Sequence, residues 1–133
     1  MLSKVVKPFT PRSTKFLERG QFWGIPLVDG TFGAGCVVGL ATQTNKLNSR
    51  VFIAGVVAWH GDCTPSVKDL SGRTVYAHAF AHIKAITYQG GCIIGCADIQ
   101  FNSLPISAES LTLDTWGYRL PQILAAKFAA ANI

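Results

Sequence analysis

Charge is scarce in this sequence: Asp, Glu, Lys and Arg make up 14% of its 133 residues, against roughly 25% in ordinary soluble domains. Hydrophobic residues reach 49%. That balance excludes a disordered chain and predicts an unusually apolar surface or a partner that covers it. Long apolar runs are missing too. One of the longest, residues 51–59 (VFIAGVVAW), already contains Gly55, and a membrane-spanning helix needs about 20 such residues. At the N-terminus, MLSKVVKPF sets Lys4, Lys7 and Pro8 where a signal peptide would carry its apolar region, so the expected compartment is the cytoplasm. No internal repeat and no low-complexity tract is present, and the length suits one domain that buries roughly two-thirds of its unfolded surface.

The net charge of +5 resembles a nucleic-acid signature until it is located. Lys4, Lys7, Arg12, Lys15 and Arg19 face only Glu18 within the first 20 residues, a surplus of four, while the rest of the chain carries seven cations and six anions. The basicity therefore belongs to a leader, residues 1–19, whose Pro8 and Pro11 predict an extended arm. Residues 20–133 form a single, nearly neutral domain, for which no nucleic-acid partner is expected. Cys36, Cys63, Cys92 and Cys96 are expected as reduced thiols, Cys36 and the pair at 92 and 96 acting as small core residues.

Residues 20–26 (GQFWGIP) read as a short strand. Asp29-Gly30 supplies a hairpin turn of the primed kind, and residues 32–40 (FGAGCVVGL) return, with Gly33, Gly35 and Gly39 marking a bulge, strong coiling or close packing of another element. A polar loop is expected over residues 42–49, then a third and central strand over residues 50–59. Residues 61–72 (GDCTPSVKDLSG) read as a long polar connection. Residues 74–88 fit helix and strand periodicity equally. A further strand is expected over residues 92–101 after Gly90-Gly91, and a helix over residues 120–130, with Pro121 in its first turn and Ile123, Leu124, Lys127 and Phe128 at helical spacing. The fold class drawn from this is α+β and β-rich: a coiled antiparallel sheet or partly open small barrel with one or two covering helices.

Several chemistries can be weighed. His60, Cys63, His78, His82, Cys92 and Cys96 supply metal donors, but no CxxC is present and no metal or cofactor is expected. A Cys/His-dependent hydrolase would use Cys63 with His60, His78 or His82 and with Asp62 or Asp98 as orienting group; Asp62 beside Cys63 disfavours the thiolate by like charge. The glycine run 33–39 lacks the lysine-serine step of a phosphate loop. Phe22, Trp23, Phe32, Trp59, Trp116 and Tyr118, with Arg50 or Arg73, would be the stacking surface of a single-stranded nucleic-acid module. In a strand, Phe22 and Trp23 must face opposite sides.

Residues 20–38 (GQFWGIPLVDGTFGAGCVV) resemble the opening of the bacterial Immunity protein 26 family of polymorphic and contact-dependent toxin systems. Gly20, Phe22, Ile25-Pro26-Leu27, Asp29-Gly30 and Phe32-Gly33 through Val38 carry the pattern, and Ile93-Ile94-Gly95 with Pro105 is a second, looser match. The resemblance implies a β-rich cytoplasmic immunity protein, not an enzyme, whose partner is the cognate toxin C-terminal domain encoded beside it; the family supplies no catalytic residues. The partner is expected on the connection after the third strand and its adjoining ends, at Trp59, His60, Asp62, Asp69 and Arg73, because loops on a rigid sheet vary freely and Trp and Arg are enriched at hot spots. Were the toxin a nuclease, Asp62 and Asp69 alone would mimic phosphate poorly, and occlusion by shape or binding away from the toxin's active site is expected.

Overall fold

In the computed structural model, which describes residues 8–43, 46–88, 91–104, 106–109, 115–117 and 120–131, the first aromatic segment is strand β1 (Gln21–Pro26), returning as β2 (Phe32–Gln43). Lys4, Lys7, Gly90, Pro105 and Tyr118 lie outside the described residues. The turn between β1 and β2 is not of the primed kind. Leu27 and Thr31 still pair, the Gly30 amide donates to the Leu27 carbonyl at 3.1 Å, and only Gly30 has positive φ, at 87°. This is the three-residue hairpin loop that ends in a glycine bulge. The Asp29 carboxylate accepts from the Thr31 amide two residues on, at 3.0 Å, which favours that loop over a two-residue one.

Strand β3 (Lys46–Gly61) is central, between β2 and β4 (Val75–His82). The polar loop expected over residues 42–49 is instead the far end of the β2–β3 hairpin, with Thr42 opposite Leu47 and Gln43 opposite Lys46. Its polarity reflects exposure at the sheet's end and not a break in pairing. Residues 74–88 resolve into β4 followed by the single helical turn α2 (Lys84–Thr87). Pairing with β3, from Val57 with Val75 to Val51 with His82, settles what periodicity left open. Only Gly95–Cys96 of the strand expected over residues 92–101 pairs as a strand, β5, against Gln21 and Phe22. Its neighbours pass between the two faces: Ile93 joins one core and Ala97 and Ile99 the other.

The sheet runs β5-β1-β2-β3-β4-β7, where β7 is Thr115–Trp116; β6 (Ser107–Glu109) lies beside β2 past the end of β1. Register shifts at Gly33/Gly35, Val37/Gly39 and Leu40/Thr42 coil it, and it does not close. Strand at 46% against helix at 20% makes the chain β-rich. Both faces are covered. Phe22 and Trp23, each 1% exposed, enter opposite cores, which is why β3 reads as a continuous apolar run and not as alternation.

One core lies under α2 and α3 (Leu120–Ala131) and holds Trp23, Val37, Phe52, Val56, Ile86, Ile93 and Ala125. Helix α3 buries only part of the expected stripe: Leu124 packs against this core and Phe128 is half-buried, while Ile123 and Lys127 are exposed and Pro121, Ala125 and Ala129 face inward. The approach explains the shift: a Cβ on Gly33 would lie 2.6 Å from the Ala125 Cβ, so the helix sits where only small residues fit. The second core holds Phe22, Val38, Ile53, Val57, Trp59, Phe80 and Ile99, and is closed in part by Leu70 of α1 (Val67–Leu70). That helical turn, within the connection expected to be polar and irregular, is set by a capping box between Ser66 and Asp69.

Residues 8–19 lie on this body. Phe9 and Ile93 exchange backbone hydrogen bonds of 2.9 Å, Thr14 and Leu17 are buried, and a 3-10 turn at Thr14–Phe16 is tied to β3 by the Thr14 hydroxyl donating to the Asn48 carbonyl. Arg19 stacks over Phe101, its carbon centre 4.2 Å from the ring centroid, and donates to the Leu104 carbonyl.

Candidate functional site

The strand register places the expected contact residues at one pole of the sheet, where Phe32 faces Gly61 and Gly33 faces His60. The 27–31 turn and the connection after β3 therefore meet there. Trp59, 8% exposed, belongs to the second core. Asp69 is engaged in the cap: its carboxylate accepts from the Ser66 amide at 3.0 Å while its own amide donates to the Ser66 hydroxyl at 3.2 Å. Asp62 and Arg73 are exposed, and Arg73 is held through its backbone, its amide to Leu70 and its carbonyl to Gln100.

His60 is joined to two residues that no catalytic or metal motif in the sequence singles out, Thr31 directly and Asp29 through it. Its Nε2 is 2.7 Å from the Thr31 hydroxyl, which in turn is 2.5 Å from an Asp29 carboxylate oxygen. The Thr31 bonds, side chain first and then backbone, hold the Asp29 carboxyl below its usual value. An ionised carboxylate only accepts, so the single hydroxyl proton goes to Asp29 and the Nε2 of His60 donates to Thr31. The order is wrong for nucleophile activation, where the imidazole would receive the hydroxyl proton. It fixes the hairpin turn to the end of β3. The Asp29-to-Thr31 half was readable as an Asx turn; the His60 half depends on register and leaves no local sign.

The remaining donors are dispersed. His78 and His82 lie four residues apart on β4, opposite Gly55 and Val51, and four strand residues span about 13 Å. On a helix they would be neighbours; on this strand they are not. Cys63 is exposed beyond the far end of β3, and at about 3.3 Å per residue His78 is roughly 20 Å and His82 roughly 33 Å back along the sheet from Gly61. Burial lowers the affinity of His82 for a proton, with Lys84 and Arg50 adding to it. Cys36 is fully buried and its thiol is pushed up to about 12 by desolvation, which leaves it inert. Cys96 is half-buried, its thiol 3.7 Å from the Arg19 carbonyl. Among the described residues, no three His, Cys, Asp or Glu side chains converge on a point that could hold a metal ion.

A cleft between β1, α2 and α3, lined by Trp23, Ile25, Pro26, Ile86, Tyr88 and Gln122, has a volume of about 30 Å³. Small-molecule sites are typically about 300–1,000 Å³. No helix among the described residues is long and apolar enough to cross a membrane. No family model, no curated protein and no solved structure matches the chain.

Proposed function

We propose that this protein is a non-enzymatic antagonist: a cytoplasmic immunity protein that binds one toxin domain, encoded beside it, and neutralises it stoichiometrically without a cofactor. The observation that carries the reading is a sheet filled on both faces, which leaves the outer surface as what the molecule can act with. The resemblance of residues 20–38 to the Immunity protein 26 family adds to it, and those residues form the first hairpin. A Cys/His hydrolase is disfavoured because His60 is committed to Thr31 and the other two histidines lie along β4. A single-strand binder is disfavoured because Phe22, Trp23, Trp59 and Trp116 are buried, leaving few rings for bases to stack on.

Co-expression with the neighbouring toxin gene tests the reading. The two products should copurify, and the antagonist should restore growth. A neighbouring product that is an ordinary metabolic enzyme and does not bind would refute it.

A further inference from the structure

We propose that the toxin docks on the basic pole of the sheet, formed by Arg12, Lys15, Lys46, Arg50 and Lys84 with the exposed Phe16 and Leu47, and that it presents an acidic face that also carries apolar side chains. The inference rests on the antagonist reading and moves the contact from the loop pole to the opposite end of β3.

Three segments distant in sequence build this pole. The bond from Thr14 to the Asn48 carbonyl, with burial of Leu17, brings Arg12 and Lys15 against the start of β3. Lys46 closes the β2–β3 pairing. The Asn48 side chain accepts from the amides of Arg50 and Val51 at 2.9 and 3.0 Å, and the Arg50 carbonyl accepts from Ile83 at 2.8 Å, which sets Lys84 alongside. All five cations are exposed. The field they make is felt by His82, whose protonation Lys84 and Arg50 both oppose after burial. At this pole Phe16 is 69% and Leu47 42% exposed, and Lys15 Nζ lies 5.5 Å from the Phe16 centroid. Among the described residues, the acidic positions at this end are Glu18, just after the 3-10 turn, and Glu109, whose strand residue pairs with Thr42, fewer than the cations.

The two poles differ in what their polar groups already do. At the loop pole Asp29, His60 and Asp69 hold the fold together. At the basic pole, Arg12, Lys46 and Arg50 form no ion pair among the described residues, and gathering like charge there costs stability unless a partner uses it. From Arg50 to Trp59 β3 runs nine residues, about 30 Å at about 3.3 Å each. An interface of about 800 Å² per partner is therefore centred on one of the two poles. Exposed apolar side chains beside cations suit a protein partner with acidic and apolar groups. Single-stranded nucleic acid would need a row of exposed rings, and of these two apolar side chains only Phe16 is one.

The test is the association rate of the neighbouring toxin domain at 50 and 200 mM NaCl, measured by stopped flow. Wild type is compared with Arg50→Glu/Lys84→Glu and with Asp62→Ala/Arg73→Ala. Circular dichroism and the unfolding midpoint establish that the charge-reversed variant is folded. Should that variant unfold, Arg12→Glu/Lys46→Glu carries the same test on other segments. Wild-type association should slow with salt, and charge reversal should slow it by about tenfold or more and flatten the salt dependence; the loop variant should match wild type. Retained rate and affinity after charge reversal, with loss in the loop variant, would return docking to the loop pole. No complex with wild type would instead refute the antagonist reading itself. A 20-nucleotide single-stranded RNA bound by wild type and lost on charge reversal would put nucleic acid in the toxin's place and overturn the proposal.

Discussion

Gly35→Ala should be among the most damaging single-methyl additions to this sheet. Trp23 faces Gly35 across the β1–β2 ladder, and a Cβ at position 35 would lie 2.3 Å from two atoms of the indole. Ordinary contact begins at 3.4 Å, so the ring would have to retreat by about 1 Å in an interior packed at crystal density. It has little room, being 1% exposed and edge-on to Phe52 at 6.0 Å between centroids. Overpacking of this kind costs about 1–3 kcal/mol, and the stiffer unfolded chain returns about 0.4–1 kcal/mol, leaving a net loss of up to about 2 kcal/mol. Urea unfolding should show it as a midpoint lowered by about 1 M at an unchanged slope. Gly30→Ala is the control: its Cβ meets open space, and its cost is that of positive φ alone, about 1–2 kcal/mol. In a Trp23→Leu background most of the Gly35→Ala penalty should vanish, a coupling of at least about 1 kcal/mol. Equal penalties in both backgrounds would refute the steric account.

Three further outcomes follow from the titrating groups. Thr31→Val removes the hydroxyl that Asp29 and His60 share, so the Asp29 midpoint followed by NMR should rise part of the way back to 3.8; Asp29 stabilises the fold above that value and loses its contribution as pH falls through the lowered native midpoint, and an unmoved midpoint would contradict the assignment. His82 should titrate below 6.5, mainly through burial, and Arg50→Gln/Lys84→Gln should raise its midpoint in part. Because the unfolded chain then takes up the proton first, stability should fall as pH drops below 6.5 through the native midpoint, and a midpoint at or above 6.5 would contradict this. Iodoacetamide should modify exposed Cys63 in the native protein and buried Cys36 only after unfolding; selective labelling of Cys63 near pH 6 with loss of function would favour the hydrolase.

Local chemistry made much of the sheet legible. The aromatic run before Pro26, the Asp29-Gly30 step and the branched run 51–59 each name a strand or turn in short-range terms, and the glycines of β2 pointed to close packing that α3 and Trp23 supply. What stayed hidden depends on distant partners. Residues 42–49 look like a loop because their side chains face water, yet the ladder continues through them. Residues 92–101 look like a strand because they are apolar, yet they spend that character on two different cores. At the loop pole, Ser66 and Asp69 have capping-box spacing inside a stretch whose polarity resembles a loop, and the tie between His60 and Thr31 depends on the register. Charge summed along the chain separates Arg12 and Lys15 from Lys46, Arg50 and Lys84; the Thr14 bond to Asn48 brings the two sets together.

Stoichiometry is the most direct test of an antagonist that acts by occupying its target. The toxin's activity should be measured while this protein is titrated in at toxin concentrations well above the dissociation constant. The account predicts a linear loss that ends at one molecule of this protein per toxin domain, unaltered by Cys63→Ser. Full protection at a small fraction of one equivalent, or protection that disappears with Cys63→Ser, would show turnover and contradict it.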